Sequence, residues 1–309
     1  MSNTTELVVL LDSILGVHTS AAKHNINYTC PFCNHYKPKL VINTDVYHYH
    51  CWVCGQGGKS LFTLFKKLHV AKDKFNQLRR LLNDTSQRQD TIVENTHVEL
   101  PRGTKPLWIS NTTSPEYRNA LKYALSRSIS ISDILRHKIM YCDEGQYAGK
   151  LIIPSYGRNG NINYFASRGY YEADTAKHKN PPISKDIIGF ELYINWNEPI
   201  ILVEGPFDAI AIRRNAIPLF GKFISNKLRE QIINSCVTDI YICLDNDAIT
   251  QSLETASEFI AAGINVYIVE LADKDPSVIG FEKMMQLIKD TNPITESDLF
   301  NKKLKLRFK

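Results

Sequence analysis

Apolar and polar positions follow different periods along the chain, and the changes of period divide it into blocks. An apolar run predicts a short helix over residues 5–17, and a helical pattern covers 114–137. Between 148 and 198 two strand-like runs flank an Asn-Gly turn, which is a strong hairpin signal. From residue 199 onward apolar strands alternate with helices. This alternation predicts a mostly parallel sheet with helices on its faces.

Composition narrows the class of protein. The chain has 309 residues, of which 43% are hydrophobic and 22% charged, so a mostly disordered protein is excluded. The longest aliphatic run, Leu7–Leu11, is too short to span a bilayer, and no basic segment of a secretory signal opens the chain. We therefore expect a cytoplasmic protein without a membrane partner.

Charge is unevenly distributed. Residues 23–80 hold ten Lys and Arg against two acids, whereas residues 200–300 hold fifteen acids against eight Lys and Arg. A basic front half suits a polyanion, and an acidic back half suits divalent cations. Ordinary solvated surface charge is the alternative for both.

Four of the seven cysteines have the spacing of a zinc site. Two C-x2-C pairs lie 17 residues apart, within the range of a four-thiolate zinc ribbon: Cys30, Cys33, Cys51 and Cys54. The segment between the pairs alternates enough to fold as a hairpin and bring them together. Disulfides are the alternative reading, and one of three nearby imidazoles could replace a thiolate: His35, His48 or His50. The remaining cysteines stand alone, and Cys243 is expected in the core.

One glycine-rich segment imitates a phosphate-binding loop. Residues 55–60, GQGGKS, end like a P-loop, but Val53 stands where the pattern needs glycine. We interpret the segment as the turn that leaves the ribbon, followed by a helix over 61–68. The sequence then contains no sign of an NTP-driven motor.

Acidic residues follow three strands of the predicted sheet: Glu204 and Asp208, then Asp245 and Asp247, then Asp273 and Asp275. Open α/β sheets bind ligands beyond the carboxyl ends of their strands. Gathered carboxylates repel one another unless cations hold them, and hard oxygen ligands suit Mg²⁺ or Mn²⁺. A single Asp after a strand could instead cap a helix. Three such clusters predict a metal site.

These acids carry a family resemblance. The segments EGPFD at 204–208, DND at 245–247 and KDP at 274–276 resemble the Toprim signature E-G-x-x-D, D-x-D and D-P. With the ribbon ahead of them, the chain resembles DnaG-like DNA primases, and its four cysteines place it nearer the phage primases. Further segments resemble that family: YALSRSISI at 123–131, GKLIIP at 149–154, FASR at 165–168 and KHKNPP at 177–182.

The resemblance implies a template-directed RNA polymerase that makes short primers on single-stranded DNA. It implies a helix and zinc ribbon over 1–82, a linker over 83–105, an RNA polymerase domain with a basic subdomain over 106–198 and a Toprim subdomain over 199–290, and a basic tail over 291–309. The fold class is α/β, or α+β overall. The implied cofactors are one structural zinc ion and catalytic Mg²⁺ or Mn²⁺.

The resemblance also assigns roles to residues. The catalytic group is Glu204, Asp208, Asp245, Asp247, Asp275 and Lys177, and the magnesium ligands among them are Glu204, Asp245, Asp247 and Asp275. Lys150, Arg168 and Asn180 are expected to hold nucleotide or template. One departure is Ser277, where the family often has a second acid, so Asp273 would have to substitute as a ligand.

A reading surface for the template is predicted on the ribbon itself. His48, His50 and Trp52 alternate and would share one face of a strand, where rings can stack on single-stranded bases. Packing of Trp52 against the zinc knuckle is the alternative.

The expected partners are single-stranded DNA, NTPs and a replicative helicase on a separate chain. Two other functions stay open at this stage. One is a Toprim nuclease or topoisomerase, and the other is a recombination mediator that carries a zinc site and a Toprim domain.

Overall fold

The computed structural model describes residues 3–20, 24–86, 98–171, 177–245, 248–271 and 275–307. Three sheets organise these residues, in the order that the sequence predicts. Among the described residues, no helix combines the length and apolarity needed to cross a bilayer.

The first sheet belongs to the ribbon. Helix α1 (Asn3–Leu15) precedes five antiparallel strands in sequential order, β1 (Thr19–Ser20), β2 (Asn25–Tyr28), β3 (Leu40–Asn43), β4 (Tyr49–Cys51) and β5 (Gly57–Gly58). Helices α2 (Leu61–Lys67) and α3 (Lys72–Ser86) follow. Leu11, Tyr28, Leu40, Phe65 and Phe75 form its buried core. The predicted hairpin between the two cysteine pairs is confirmed, because β3 and β4 pair antiparallel.

The second sheet is antiparallel. It contains β6 (Thr104–Pro106), β7 (Met140–Cys142), β8 (Lys150–Tyr156) and β9 (Ile162–Gly169), with α4 (Pro115–Ser126) and α5 (Ile131–Arg136) between β6 and β7. The helical stretch predicted over 114–137 is two helices, because Ser130 starts α5 with a capping box to Asp133. The Asn-Gly hairpin of β8 and β9 is confirmed. Strand structure ends sooner than predicted, since the described residues of 177–198 hold only an isolated bridge and one 3-10 turn, Glu191–Tyr193.

The third sheet is wholly parallel, as predicted from 199 onward. Its order is β11-β10-β12-β13, and six helices of the described residues accompany it. The elements are β10 (Ile200–Val203), α6 (Pro206–Ile212), β11 (Ala216–Pro218), α7 (Asn226–Ile233), β12 (Asp239–Cys243), α8 (Ile249–Ala261), β13 (Asn265–Ile268), α9 (Pro276–Ile279), α10 (Phe281–Asp290) and α11 (Glu296–Arg307). Alternate residues of β10 enter two separate cores, Ile200 and Leu202 on one face and Ile201 and Val203 on the other. Burial on both faces explains why this strand is apolar throughout.

The carboxy-terminal stretch that the sequence treats as a basic tail includes the helix α11. Leu299 of this helix is buried in the same core as α8. The structure therefore adds a helix to the parallel-sheet unit.

The ribbon is docked on the parallel-sheet unit through α2. Lys66 is only 2% exposed, and its ammonium donates to the carbonyl oxygens of Ile232 and Ile233, both at 2.9 Å. The Ser60 hydroxyl donates to Asn234 Oδ1 at 2.9 Å. The acceptors lie at the end of α7, before β12 begins, so the ribbon contacts the amino edge of the parallel sheet.

Candidate active site and zinc centre

The four predicted zinc ligands converge at one end of the ribbon. Their sulfur atoms all lie within 4.8 Å of one another. Cys30 Sγ is 3.8 Å from Cys54 Sγ, and Cys33 Sγ is 3.9 Å from Cys51 Sγ. Tetrahedral zinc with Zn–S bonds of ~2.3 Å needs sulfurs ~3.8 Å apart. The disulfide alternative is wrong, because all seven cysteines are free thiols in the structure.

Two matching backbone knuckles hold the sulfurs. Asn34 N–H donates to Cys30 O at 2.9 Å, and Gly55 N–H donates to Cys51 O at 3.0 Å. Both donors adopt positive φ, at 47° and 74°. Backbone N–H groups of the second knuckle help Cys51 to ionise. Burial raises the pKa of its thiol, but these donors and the neighbouring thiols Cys30 and Cys54 bring it to about 7.

The glycine-rich segment 55–60 belongs to the ribbon and forms no phosphate cradle. Gly57 and Gly58 form β5, which pairs with Tyr49 and His50 of β4. The Ser60 hydroxyl caps α2 by accepting from Phe62 N. This strand and this helix cap confirm the prediction that residues 55–60 belong to the ribbon and are not a P-loop.

The aromatic groups of the second knuckle alternate as predicted. Tyr49 and Cys51 are buried, whereas His48, His50 and Trp52 are exposed. Trp52 is 72% exposed and lies edge-on to His50, with ring centroids 4.7 Å apart. Packing of Trp52 into the knuckle is therefore not what the structure shows. His48, His50 and Trp52 form one open surface, called the ribbon surface below.

The predicted acids meet at the carboxyl edge of the parallel sheet. A cavity of about 300 Å³, called the acid pocket below, is lined by Glu204 after β10, Asp245 after β12 and Asp275 at the start of α9, together with Asp208 of α6. Strands β10, β12 and β13 are neighbours in the sheet, which is why loops far apart in sequence converge. Asp245 N–H donates to Glu204 Oε1 at 3.3 Å.

Asp208 is half-buried in the first turn of α6. Burial raises the pKa of its carboxyl, and the charges of Asp275 and Asp245 raise it further. Hydrogen bonds from Ser277 act against that shift, including its N–H to Asp208 Oδ1 at 3.2 Å. Carboxylate oxygens are the type of ligand that a hard divalent cation prefers.

Ser277 has a second contact that the sequence does not predict. Its hydroxyl accepts from Arg127 Nη2 at 3.0 Å, and the same nitrogen lies 3.7 Å from Asp275 Oδ2. The Arg127 guanidinium also lies over the Phe207 ring, 5.5 Å from its centroid. A cation is thereby fixed at the rim of the acid cluster.

The opposite wall of the acid pocket is basic and comes from β9. Arg168 Nε donates to Tyr123 OH at 3.1 Å, and its Nη1 contacts the His178 ring. Burial lowers the pKa of His178, and Arg168, Lys150 and Arg127 lower it further, so this imidazole is neutral at pH 7. Asn180 Oδ1 accepts from Ser167 N at 3.2 Å and also lines the pocket.

Lys177 and Lys150 differ in their exposure to solvent. Lys177 is exposed and lines a groove of about 740 Å³ that shares Arg127 and Arg168 with the acid pocket. Tyr123 also lines that groove. Lys150 is buried at 4% exposure in β8 and is absent from the described linings of both cavities. The role predicted for Lys150 stays a prediction.

Part of the predicted site lies outside the described residues, namely Asp247 and Asp273. Within the described ranges, the cysteine cluster is the only group in which three or more ligand atoms lie within reach of one metal ion. The residues placed together are thus four acids, Arg168 and Asn180, with Lys177 in the adjoining groove.

Several residues of the site have no role assigned in the sequence analysis: Tyr123, Arg127, Ser167, His178 and Ser277. Tyr123 and Arg127 lie in the segment YALSRSISI, and His178 lies in KHKNPP. Both segments resemble primase motifs. The resemblance marked these segments, but sequence alone did not identify which side chains face the acids.

Comparison with known proteins agrees with this geometry. The family model described as the CHC2 zinc finger matches residues 1–94. This chain places cysteine at all four ligand positions of its cluster.

Relatives in sequence are found among bacterial proteins. An uncharacterised protein of Mycoplasma genitalium, MG010, is 29% identical over 149 residues, which are 45% of this chain and 67% of that protein. The DNA primase of Salmonella typhimurium is 22% identical over 347 residues, covering 89% of this chain and 57% of the primase. The chain thus spans just over half of the length of that primase.

The fold has a match that spans both parts of the chain. The Aquifex aeolicus primase, with its zinc-binding and RNA polymerase domains, superposes with a TM-score of 0.52 at 18% identity. The match covers 96% of this chain and 87% of that structure. The chain is thus similar to DnaG-type DNA primases in its zinc-finger segment, in its sequence and in its fold. Closeness to phage primases stays a prediction.

Proposed function

We propose that the protein is a primase that synthesises short RNA primers on single-stranded DNA. The observation that carries the proposal is the acid pocket. Its four carboxylates lie at the carboxyl edge of a parallel sheet and face Arg168 across the same cavity. Nucleotidyl transfer needs both features, a cation-binding acidic centre and a basic wall for phosphates.

Glu204, Asp245 and Asp275 are the proposed ligands of catalytic Mg²⁺ or Mn²⁺, with Asp247 as a further ligand. When bound, the metal would supply charge stabilisation on the phosphates and activate the attacking 3′-hydroxyl. Asp208 accepts from Ser277 N–H, and the hydrogen bonds from Ser277 favour its carboxylate form next to the proposed cation site. Glu204 is either a ligand or the base that takes the hydroxyl proton.

The basic wall is proposed to hold nucleotide and template. Tyr123 fixes the Arg168 guanidinium beside the pocket, and Arg127 is fixed by Ser277. Both arginines also line the adjoining groove with exposed Lys177. A strand of template along this groove would reach the acid pocket without interruption.

The ribbon surface is the proposed reader of the template. Exposed rings stack on single-stranded bases, and the neighbouring lysines suit the DNA backbone. A separate replicative helicase is the proposed partner that opens the duplex, and the cytoplasm is the proposed location. A Toprim nuclease, a topoisomerase and a recombination mediator are less favoured, because the fold match includes a zinc-binding and an RNA polymerase domain together.

The proposal is tested by primer synthesis on single-stranded DNA with four NTPs and Mg²⁺. Asp245→Asn is expected to remove RNA synthesis while DNA affinity changes less than about twofold, because DNA is held by the basic groove. Asp290→Asn, which alters an exposed acid of α10, is the matched control and should keep full synthesis. Synthesis by Asp245→Asn at the wild-type rate would place the active site elsewhere.

A further inference from the structure

A third cavity lies away from the acid pocket, at the seam between the second and third sheets. It has a volume of about 270 Å³. One wall comes from α5 and the 3-10 turn Glu191–Tyr193, and the other from α6 and the start of β11. We call it the seam pocket. Three arginines line it, Arg136, Arg213 and Arg214.

The seam pocket lies at the opposite edge of the parallel sheet from the acids. Helix α6 leaves β10 at the carboxyl edge and returns the chain to the amino edge, where β11 begins parallel to β10. Asp208 is in the first turn of this helix, and Arg213 caps its end. At seven residues the helix is ~10 Å long, and it separates Asp208 of the acid pocket from Arg213 of the seam pocket.

The charge of the seam pocket is positive and only partly neutralised. Arg213 Nη2 donates to Asp133 Oδ2 at 3.1 Å. Among the described residues this is the one ion pair recorded for the three arginines. Arg136 and Arg214 lie instead over aromatic rings, 5.7 Å from the centroid of Tyr193 and 4.9 Å from that of Phe281. Stacking fixes each guanidinium but leaves its N–H donors for another acceptor.

Part of the seam pocket lining is apolar or uncharged. His137 is 9% exposed, with its ring centroid 5.0 Å from those of Phe190 and Tyr193. Burial lowers the pKa of His137 to about 4, and Arg136 contributes, so the imidazole carries no charge at pH 7. Ala209 and Ala216 complete a small, smooth floor.

We propose that the seam pocket is a binding site for a small phosphate-bearing ligand, no larger than a nucleoside monophosphate. The arginine forks match phosphate oxygens in geometry and charge. The volume is just below the range of ordinary small-ligand sites, so an extended ligand does not fit. A nucleic-acid strand is less suited, because this cavity is small beside the groove of about 740 Å³ that runs to the acid pocket.

Pyrophosphate is the first probe, used on the full chain in buffer with EDTA and without NTPs or DNA. Arginines are modified with phenylglyoxal, and the modified positions are identified by mass spectrometry. Pyrophosphate should slow the modification of Arg213 and Arg214 by at least about fivefold, as expected for guanidiniums engaged by phosphate. Arg158, exposed in the β8–β9 turn, is the internal control and should not be protected.

Two variants test the assignment by calorimetric titration. Arg214→Gln should weaken pyrophosphate binding at this site at least about tenfold, since one charge-assisted contact is lost. Arg158→Gln should leave it within about twofold. Arg213→Lys keeps the charge that faces Asp133 and should weaken binding less than Arg214→Gln.

The same titrations with inorganic phosphate and with GMP distinguish two possible phosphate-bearing ligands, an inorganic anion and a nucleotide. If GMP binds more tightly than inorganic phosphate and pyrophosphate, the natural ligand is a nucleotide. If all three probes bind equally tightly, the natural ligand is a simple inorganic anion. Protection of Arg168 alone would overturn the proposal, as would protection of Arg213 and Arg214 by single-stranded DNA only. Primer synthesis is not involved, so failure here is distinguishable from failure of the proposed primase activity.

Discussion

At the scale of single residues, Ser277 shows how this chain departs from the family pattern. It replaces an acid that the resembled motif often carries, yet it is buried at 2% exposure and contacts both sides of the site. Its N–H holds Asp208, and its hydroxyl holds Arg127. The position therefore contributes to charge placement in the acid pocket without being a carboxylate.

Ser277→Ala removes the hydroxyl acceptor of Arg127 and the side-chain hydrogen bond to Asp208, and it keeps the N–H to Asp208. A hydrogen bond to a charged group contributes ~1.5–3 kcal/mol, so primer synthesis should fall about ten- to a hundredfold. Thr291→Ala is the control, because that hydroxyl donates to Leu287 O at the end of its own helix, α10. An unchanged rate in Ser277→Ala would show that Arg127 needs no such support.

His137 gives a prediction about pH. Its pKa falls from 6.5 to about 4 on folding, mainly through burial, with Arg136 adding to the shift and Asp133 opposing it. The other groups around the ring are Phe190, Tyr193 and, across the seam pocket, the Arg213 side chain. Between these two pKa values the unfolded chain binds the proton and the folded protein does not. The contribution of His137 to the free energy of unfolding is therefore fully present above pH ~6.5, and it is lost as the pH falls toward 4.

The loss expected from His137 is ~3 kcal/mol between pH 7 and pH 4. His137→Gln cannot take up that proton, so its free energy of unfolding should fall less over the same range. Urea unfolding of both proteins at pH 7, 5.5 and 4.5 gives the difference. Parallel pH profiles of the two proteins would contradict a buried neutral imidazole.

At the scale of elements, α2 is held on α7 by a buried ammonium. Burial lowers the pKa of Lys66 to about 7, and its Nζ satisfies two carbonyl oxygens at the end of α7. The last carbonyls of a helix have no partner inside the helix, which makes them natural acceptors here. Lys72 and Arg79 of α3 add contacts to Asn197 just before β10.

Lys66→Met keeps most of the side-chain volume and removes the donors. Burial of unsatisfied carbonyls costs ~1–3 kcal/mol each, so docking of the ribbon should weaken. Hydrogen exchange should then rise at the end of α7 and in the loop 234–238. Lys67→Met, which alters the neighbouring lysine bonded to Gln56, is the control and should leave exchange there unchanged. Equal exchange in both variants would refute the docking role.

The sequence predicted the secondary-structure elements better than the tertiary contacts between them. The zinc cluster and the parallel sheet followed from Cys spacing and from alternating strands and helices, which are local patterns. The contacts of Arg127 and His178 depend on how the second sheet packs against the third, which no local period encodes. The docking of Lys66 was equally hidden, because a lysine in an amphipathic helix is normally a solvent-facing residue.

At the scale of the whole molecule, the ribbon and the acid pocket occupy opposite edges of the parallel sheet. Docking contacts lie before β10 and β12, whereas the acids follow these strands. The ribbon surface is exposed in this arrangement. The proposed template-reading surface and the proposed catalytic site thus lie at separate places in the structure.

This separation predicts that the ribbon surface can be altered without harming catalysis. Trp52→Ala or His50→Ala should lower preference for the initiation site about 5- to 150-fold, since stacking is worth ~1–3 kcal/mol per base. Extension of an annealed oligoribonucleotide should stay near the wild-type rate. Tyr36→Ala, at another exposed aromatic residue of the ribbon, is the control. Equal loss of initiation and extension would contradict the separation.

The most direct test of the account is the identity of the product made by the full chain. Single-stranded DNA of defined sequence is incubated with the protein, four NTPs and Mg²⁺, and the intact mass of every nucleic acid is measured by mass spectrometry. The account predicts short RNA complementary to the template with a 5′-triphosphate, intact DNA, and no RNA from Asp245→Asn. Cleaved or religated DNA without any new RNA would contradict it and assign the acid pocket to a different Toprim reaction.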